Sequence, residues 1–217
     1  MEQQRRIAIY GGSFDPVHLG HLAIARRVTE IFQISQLLFM PARVAPHKSD
    51  RSTTSGFHRY GMLALATQHD NVLCVSRFEL DGPERQYTVN TIDYYRNRFG
   101  DAVELFFVMG ADSWAEIKTW HDWQRLMTLA NLIVVTRPGV EVELGNNVID
   151  LRGSAAEITV GDSKKVFITD AVMLDVSATR VRETAARGDY KSLAKLVPME
   201  VANYIRKYGL YRTTNED

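Results

Sequence analysis

The sequence predicts an α/β fold: a doubly wound parallel sheet with helices on both faces and a small helical extension at the C-terminus. Three observations carry this expectation. The strand-like segments are continuous apolar runs, such as Leu105-Phe106-Phe107-Val108-Met109 and Leu132-Ile133-Val134-Val135, the pattern of strands buried on both faces. These runs alternate with segments of helical periodicity. Several of them stop at glycine or proline, at Gly11-Gly12, Pro41, Gly110 and Arg137-Pro138-Gly139, which puts turns at the strand ends.

Taken in order, Ile7-Ala8-Ile9-Tyr10 reads as a first strand leaving through a Gly11-Gly12 turn. A helix starts near His18, with Ile24, Val28 and Ile31 on one side and Arg26, Arg27 and Glu30 on the other. Leu37 to Met40 is the second strand, and 41–55 is a loop. Phe57 to Gln68 is helical, Val72 to Phe78 is a strand and Thr88 to Phe99 a helix. The fourth strand ends at Gly110, Asp122 to Leu129 is helical, and Leu132 to Val135 is the fifth strand. Residues 140–165 carry the weakest signal. Val166-Phe167-Ile168 reads as the last strand, Ser177 opens a helix to about Arg187, and Met199 to Tyr208 is a final amphipathic helix. The expected architecture is Rossmann-like, one domain over residues 1–217 with its helical part at about 177–212. Ligands of such sheets bind beyond the carboxyl ends of the strands, where strand order reverses.

Composition narrows the partners. Lys plus Arg and Asp plus Glu number 26 each, so the net charge is zero. A long nucleic acid or an anionic membrane calls for a basic excess, so neither is expected; a small anion needs only a local basic cluster. Cys74 is the one cysteine and lies in the apolar run Val72-Leu73-Cys74-Val75, which suits buried filler in a reducing compartment. No signal segment and no run near the ~18 residues of a membrane span occurs, and a cytoplasmic protein is expected. Oligomeric state is left open.

The residues after the first strand carry the chemistry. They read Gly11-Gly12-Ser13-Phe14-Asp15-Pro16-Val17-His18-Leu19-Gly20-His21. The glycines permit a tight turn and close approach of backbone to ligand. A helix start near His18 offers backbone N–H groups to phosphate. His18 and His21, three apart, share one face of its first turn, and Gly20 between them leaves room for a nucleotide. Neither G-x-x-x-x-G-K-[ST] nor G-x-G-x-x-G is present, which excludes a P-loop and a dinucleotide-binding dehydrogenase.

His18-Leu19-Gly20-His21 resembles the HxGH signature of the nucleotidylyltransferase superfamily. Ser177-Ala178-Thr179-Arg180-Val181-Arg182 resembles its second signature, and two signatures in the right order are far more specific than one. Further segments are similar to bacterial nicotinate-mononucleotide adenylyltransferases: Pro46-His47-Lys48, Tyr87-Thr88, Gly110-Ala111-Asp112-Ser113, Thr119-Trp120, Arg137-Pro138-Gly139 and Gly209-Leu210-Tyr211-Arg212. Ala42, Ala45 and Lys118 depart from that family's common residues, all in the pyridine-side loops.

The resemblance implies transfer of the adenylyl group of ATP to nicotinate mononucleotide, giving nicotinate adenine dinucleotide and pyrophosphate. It implies that His18, His21, Lys48 and Arg182 form the catalytic set. Gly11, Gly12, Ser13, Phe14, Gly20, Gly110, Asp112, Arg137, Ser177 and Thr179 would bind ATP. His47, Thr88 and Trp120 would bind the mononucleotide. Mg²⁺ would ride mainly on the ATP phosphates, with no protein ligand named. The rival expectations are another phosphorylated acceptor, nicotinamide mononucleotide among them, or a catalytically silent nucleotide-binding regulator on the same scaffold.

Overall fold

The computed structural model describes residues 4–43, 54–83, 86–136, 147–153, 158, 163–170 and 176–212. Their elements are β1 (Arg5–Gly12), α1 (Leu19–Ile31), β2 (Gln36–Pro41), α2 (Gly56–Thr67), β3 (Leu73–Val75), α3 (Phe78–Asp81), α4 (Thr88–Phe99), β4 (Val103–Gly110), α5 (Ala111–Ala115), a 3₁₀ turn (Ile117–Thr119), α6 (Trp123–Leu129), β5 (Asn131–Val135), β6 (Val148–Asp150), β7 (Val166–Thr169), α7 (Ala178–Ala186), α8 (Tyr190–Leu193) and α9 (Met199–Tyr208). The strands form one sheet in the order β3-β2-β1-β4-β5-β7-β6, and every pairing is parallel. The Rossmann-like sheet and the C-terminal helices of the expectation are both present. Strand order reverses between β1 and β4, the switch point at which such sheets bind ligands.

Period-two alternation along the strands builds two cores. Ala8, Tyr10, Phe39, Phe106, Val108, Ile133 and Phe167 face one side, packing with Leu22, Ala25 and Val28 of α1, Met62 and Leu63 of α2, and Val201, Ala202 and Ile205 of α9. Ile7, Ile9, Leu38, Met40, Leu105, Phe107, Met109, Leu132 and Val134 face the other, under Val89 and Ile92 of α4 and Leu126 of α6. Both neighbours of each strand residue are thus apolar, which is why the runs are unbroken.

Some local expectations are corrected. Gly11 and Gly12 are not a turn. They complete β1, in register with Met40 and Pro41 of β2, and the left-handed residue that turns the chain is Phe14, at φ 47°. The third strand ends at Val75 rather than Phe78: the Ser76 hydroxyl accepts the Phe78 N–H at 3.1 Å, and α3 begins at Phe78. A strand, β6, lies within the weak 140–165 segment and pairs with β7. The expected stop at Arg137-Pro138-Gly139 and the greater part of the 41–55 loop lie outside the described residues.

A polar row crosses the sheet at the edge opposite the switch-point crevice. Arg6 of β1 faces Glu104 of β4 at 3.4 Å. Asn131 of β5, fully buried, donates to Glu104 at 3.2 Å and accepts the Lys165 N–H at 3.0 Å. Removing the amide leaves a buried carboxylate and a backbone donor short of partners. Asn131→Ala is therefore expected to lower unfolding free energy by about 2–3 kcal/mol in urea denaturation, while kcat stays within twofold of the parent.

Candidate active site

His18 is the N-cap of α1, with extended backbone, and His21 is the third helical residue. The two side chains cap each other's backbone. His18 Nδ1 accepts the His21 N–H at 3.4 Å, and His21 Nδ1 accepts the His18 N–H at 3.3 Å. This is a capping box built from imidazoles in place of the usual Ser and Glu. A ring whose Nδ1 accepts a hydrogen bond carries its proton on Nε2 when neutral. The reciprocal caps thus make both Nε2 atoms donors. The rings stack, centroids 3.7 Å apart and 23° from parallel.

Stacking also sets the charge. Two unit charges ~4 Å apart repel by about 4 kcal/mol at an effective dielectric of ~20. His18 is buried and His21 half-buried, with the His21 ring against Phe14 and Tyr10. Burial first, and the electrostatic influence of the neighbouring His18 second, hold the His21 pKa well below the ordinary histidine value. His21 is a neutral donor at neutral pH.

Two expectations about this helix start change. The Leu19 N–H is taken by the Leu196 carbonyl at 2.9 Å and that of His21 by His18, so the turn presents ring N–H groups more than backbone amides. The space over Gly20 is filled rather than open: a Cβ there would lie 3.0 Å from His18 Nδ1 and 3.6 Å from the Val176 carbonyl. The glycine lets the His18 ring and the Val176 backbone just before α7 approach the helix closely. The Phe14 ring is core, 1% exposed and edge-on to Tyr10 and Phe39, which leaves only its backbone to face a ligand.

The second signature stands beside the first. Ser177 caps α7, its hydroxyl accepting the Arg180 N–H at 3.2 Å. Arg182 donates Nη1 to the Asp15 carbonyl at 2.8 Å and Nη2 to Thr179 Oγ1 at 3.1 Å. The α7 start is thereby fixed to the β1–α1 connection across 167 residues of sequence. Gly110 ends β4 across the switch point, its face open to solvent, and exposed Asp112 follows in the first turn of α5. Thr88 opens α4, and Trp120 follows the 3₁₀ turn with its ring edge-on to Phe107. These two meet through neighbours: the Tyr87 and His121 rings stack with centroids 4.2 Å apart. His47, Lys48 and Arg137 lie outside the described residues.

Sequence reasoning missed His121 and Arg59, and gave Tyr211 no role beyond its place in the Gly209-Leu210-Tyr211-Arg212 segment. Arg59 is 2% exposed and donates to the carbonyls of Ser13, Thr54 and Arg43 at 2.7, 2.9 and 3.3 Å. Its position three and four residues before Met62 and Leu63 puts a charge on the apolar face of α2, a signal present in the sequence. Tyr211 is taken up below. Among the described residues no group of three or more His, Cys, Asp or Glu is placed to hold a metal ion, and no helix is long and apolar enough to cross a membrane.

Two imidazoles at the start of α1, next to the switch point, and an arginine bonded to the same β1–α1 connection from α7 make up the candidate site. The family model described as cytidylyltransferase-like matches residues 9–184. A protein of Thermoanaerobacter sp. (strain X514) called "Probable nicotinate-nucleotide adenylyltransferase" is 36% identical over 217 residues, covering 100% of this chain and 99% of its own. One of the same name from Thermus thermophilus is 37% identical over 207 residues, covering 95% and 100%. Among solved structures, the Plasmodium falciparum nicotinic acid mononucleotide adenylyltransferase complexed with NaAD shares the fold, with a TM-score of 0.73 over 95% of this chain and 97% of that one at 19% identity. The chain belongs to the cytidylyltransferase-like family and, within it, to the nicotinate-nucleotide adenylyltransferases, a group of nucleotidyltransferases.

The depressed His21 pKa has a stability consequence. An unfolded histidine titrates near 6.5, so between there and the lower folded value the unfolded chain binds more protons. Stability is full above about pH 6.5 and is lost as pH falls toward the folded pKa. Thermal unfolding between pH 7.5 and 5 is expected to show a steeper loss in the parent than in His21→Asn, by up to about 1.4 kcal/mol per pH unit, the value of one proton. Parallel profiles would contradict the assignment.

Proposed function

We propose that the chain transfers the adenylyl group of ATP to nicotinate mononucleotide. The observation that carries this is the pair of Nε2–H donors fixed at the start of α1, with Arg182 bonded to the connection that leads into it. A 5′-phosphate oxygen of the mononucleotide attacks the α-phosphorus of ATP in line. The new P–O bond forms as the α–β bridging P–O bond breaks, and pyrophosphate leaves with the bonding pair. The attacking oxygen is already anionic at pH 7, so neither a general base nor a covalent intermediate is required. Positioning and charge stabilisation do the catalysis.

In this proposal His18 and His21 donate to the phosphates as charge moves onto the leaving group. Arg182 holds phosphate by fixed charge, as does Lys48 by the sequence assignment. The backbone of Gly11, Gly12, Ser13 and Phe14, together with Gly20, Ser177 and Thr179, frames the triphosphate. Gly110 and Asp112 flank the bridge between the nucleotides, and Arg137 the adenine. Trp120 stacks on the pyridine, with Thr88 and His47 on the mononucleotide. Both carboxylate oxygens of Asp15 already accept hydrogen bonds, from Tyr211 and Thr54. Mg²⁺ therefore fits here as an ion carried on ATP phosphates and water, where it neutralises phosphate charge. The C-terminal helices share the core of β1 and β4, which supports one domain over residues 1–217. The lone Cys74 fits a cytoplasmic setting.

Pyrophosphate release with ATP, Mg²⁺ and a panel of phosphorylated acceptors tests the proposal. Release is expected with nicotinate mononucleotide, more weakly with nicotinamide mononucleotide, and not with phosphopantetheine. His21→Ala is expected to lower kcat by roughly 10²–10³, the loss of one preorganised donor, with its fold kept. Release from no acceptor, or near-normal turnover by His21→Ala, would contradict the assignment.

A further inference from the structure

Asp15 sits at a buried crossing of four chain segments. It is 4% exposed. Its Oδ1 accepts the Tyr211 hydroxyl at 2.8 Å, its Oδ2 accepts the Thr54 N–H at 3.3 Å, and its carbonyl accepts Arg182 Nη1 at 2.8 Å. Arg59 braces the same crossing from beneath by holding the Ser13, Thr54 and Arg43 carbonyls. Burial, followed by the charge of Asp15, pushes the Tyr211 pKa upward, so its hydroxyl remains a donor throughout the working pH range.

Tyr211 does not follow from the needs of α9. That helix is anchored by Val201, Ala202 and Ile205 and is closed by Gly209, a left-handed glycine at φ 63°. Two residues later the chain adopts a second left-handed conformation at Tyr211, φ 65°, and Phe14, next to Asp15, is left-handed at φ 47°. Non-glycine residues take this conformation at a cost, and it persists where surrounding contacts over-determine it. Here the contact is the Tyr211–Asp15 hydrogen bond, 196 residues apart in sequence.

We propose that Tyr211 is a positioning residue for adenylyl transfer: through Asp15 its hydroxyl fixes the carbonyl that aims Arg182 at the nucleotide phosphates. The proposal rests on the function given above. Without the hydroxyl, Oδ1 is buried short of a partner and the Asp15 carboxylate turns toward Arg59, with which its charge interacts. The Asp15 carbonyl then shifts, and Arg182 loses its alignment. The effect falls on the ATP side, because Trp120, packed on Phe107 in the other apolar layer, and the Tyr87–His121 stack beside Thr88 share none of these bonds.

The test compares Tyr211→Phe with Tyr204→Phe. The control removes a hydroxyl of the same kind from α9, one bonded to His58 at 3.0 Å. Melting temperature, Mg-ATP affinity without acceptor, kcat and both KM values are measured. For Tyr211→Phe we expect ATP affinity and KM for ATP weakened five- to tenfold and kcat lowered about tenfold. The KM for the mononucleotide should stay within twofold, as should every parameter of Tyr204→Phe. Tyr211→p-aminophenylalanine restores a donor at the same place and should recover ATP affinity to within twofold of the parent. The proposal is overturned if Tyr211→Phe keeps parental ATP affinity and kcat, if Tyr204→Phe loses as much, or if the amino variant recovers nothing. Should the parent release no pyrophosphate from any acceptor, adenylyl transfer fails, and the three ATP affinities still decide the positioning role.

Discussion

The site depends on the reciprocal cap between His18 and His21. Each ring satisfies the other residue's backbone N–H with its Nδ1, and that one arrangement fixes three properties at once. It starts α1, because an N-cap donor pair is satisfied without Ser, Thr or Asp. It selects the tautomer, because an accepting Nδ1 leaves the proton on Nε2. It stacks the rings and so discourages protonation of His21. A side chain commonly read as a catalytic ligand is here also a structural cap, and donor geometry is preorganised by helix formation itself.

The remainder of the fold holds that cap at the right place. β1 is flanked by β2 and β4 at the reversal of strand order, so its carboxyl end opens into a crevice rather than under a crossover. Two apolar layers clamp the sheet from both sides. The connection from Gly12 to His18 is then pinned from three directions: by Arg59 of α2, by Arg182 of α7 and by Tyr211 beyond α9. Each pin is a hydrogen bond to a backbone carbonyl or to the Asp15 carboxylate. A loop already anchored in the core by Phe14 and Val17 thus gains further rigidity from charged and phenolic donors.

Much of this was legible in the sequence, for identifiable reasons. Parallel strands buried on both faces write themselves as apolar runs, so β1, β2, β4, β5 and β7 could be read directly. β6 could not, because Val148–Asp150 is a three-residue edge strand with one covered flank. The paired histidines were visible through their spacing, and Ser177 through its capping chemistry. Their reciprocal bonding was not, because it depends on which nitrogen each ring turns toward the backbone. Gly11-Gly12 misled, since glycine at a strand end serves a turn or a close neighbour equally well; here Phe107 and Phe14 rings occupy the space a side chain would need. Arg59 was written on the apolar face of α2 without its acceptors, which come from the β1–α1 and β2–α2 connections. Tyr211 stood only within the family-like Gly209-Leu210-Tyr211-Arg212 segment, with no role assigned, because its meaning lies in a contact 196 residues away.

The tautomeric state of the two rings can be read directly from ¹⁵N-correlated NMR of the histidine side chains at pH 7, with the pH then lowered. The reciprocal cap predicts protonated Nε2 and bare Nδ1 on both His18 and His21, with His21 taking up its proton at lower pH than an unfolded histidine does. A protonated Nδ1 on either ring at pH 7, or a His21 that titrates at the ordinary histidine value, would contradict it.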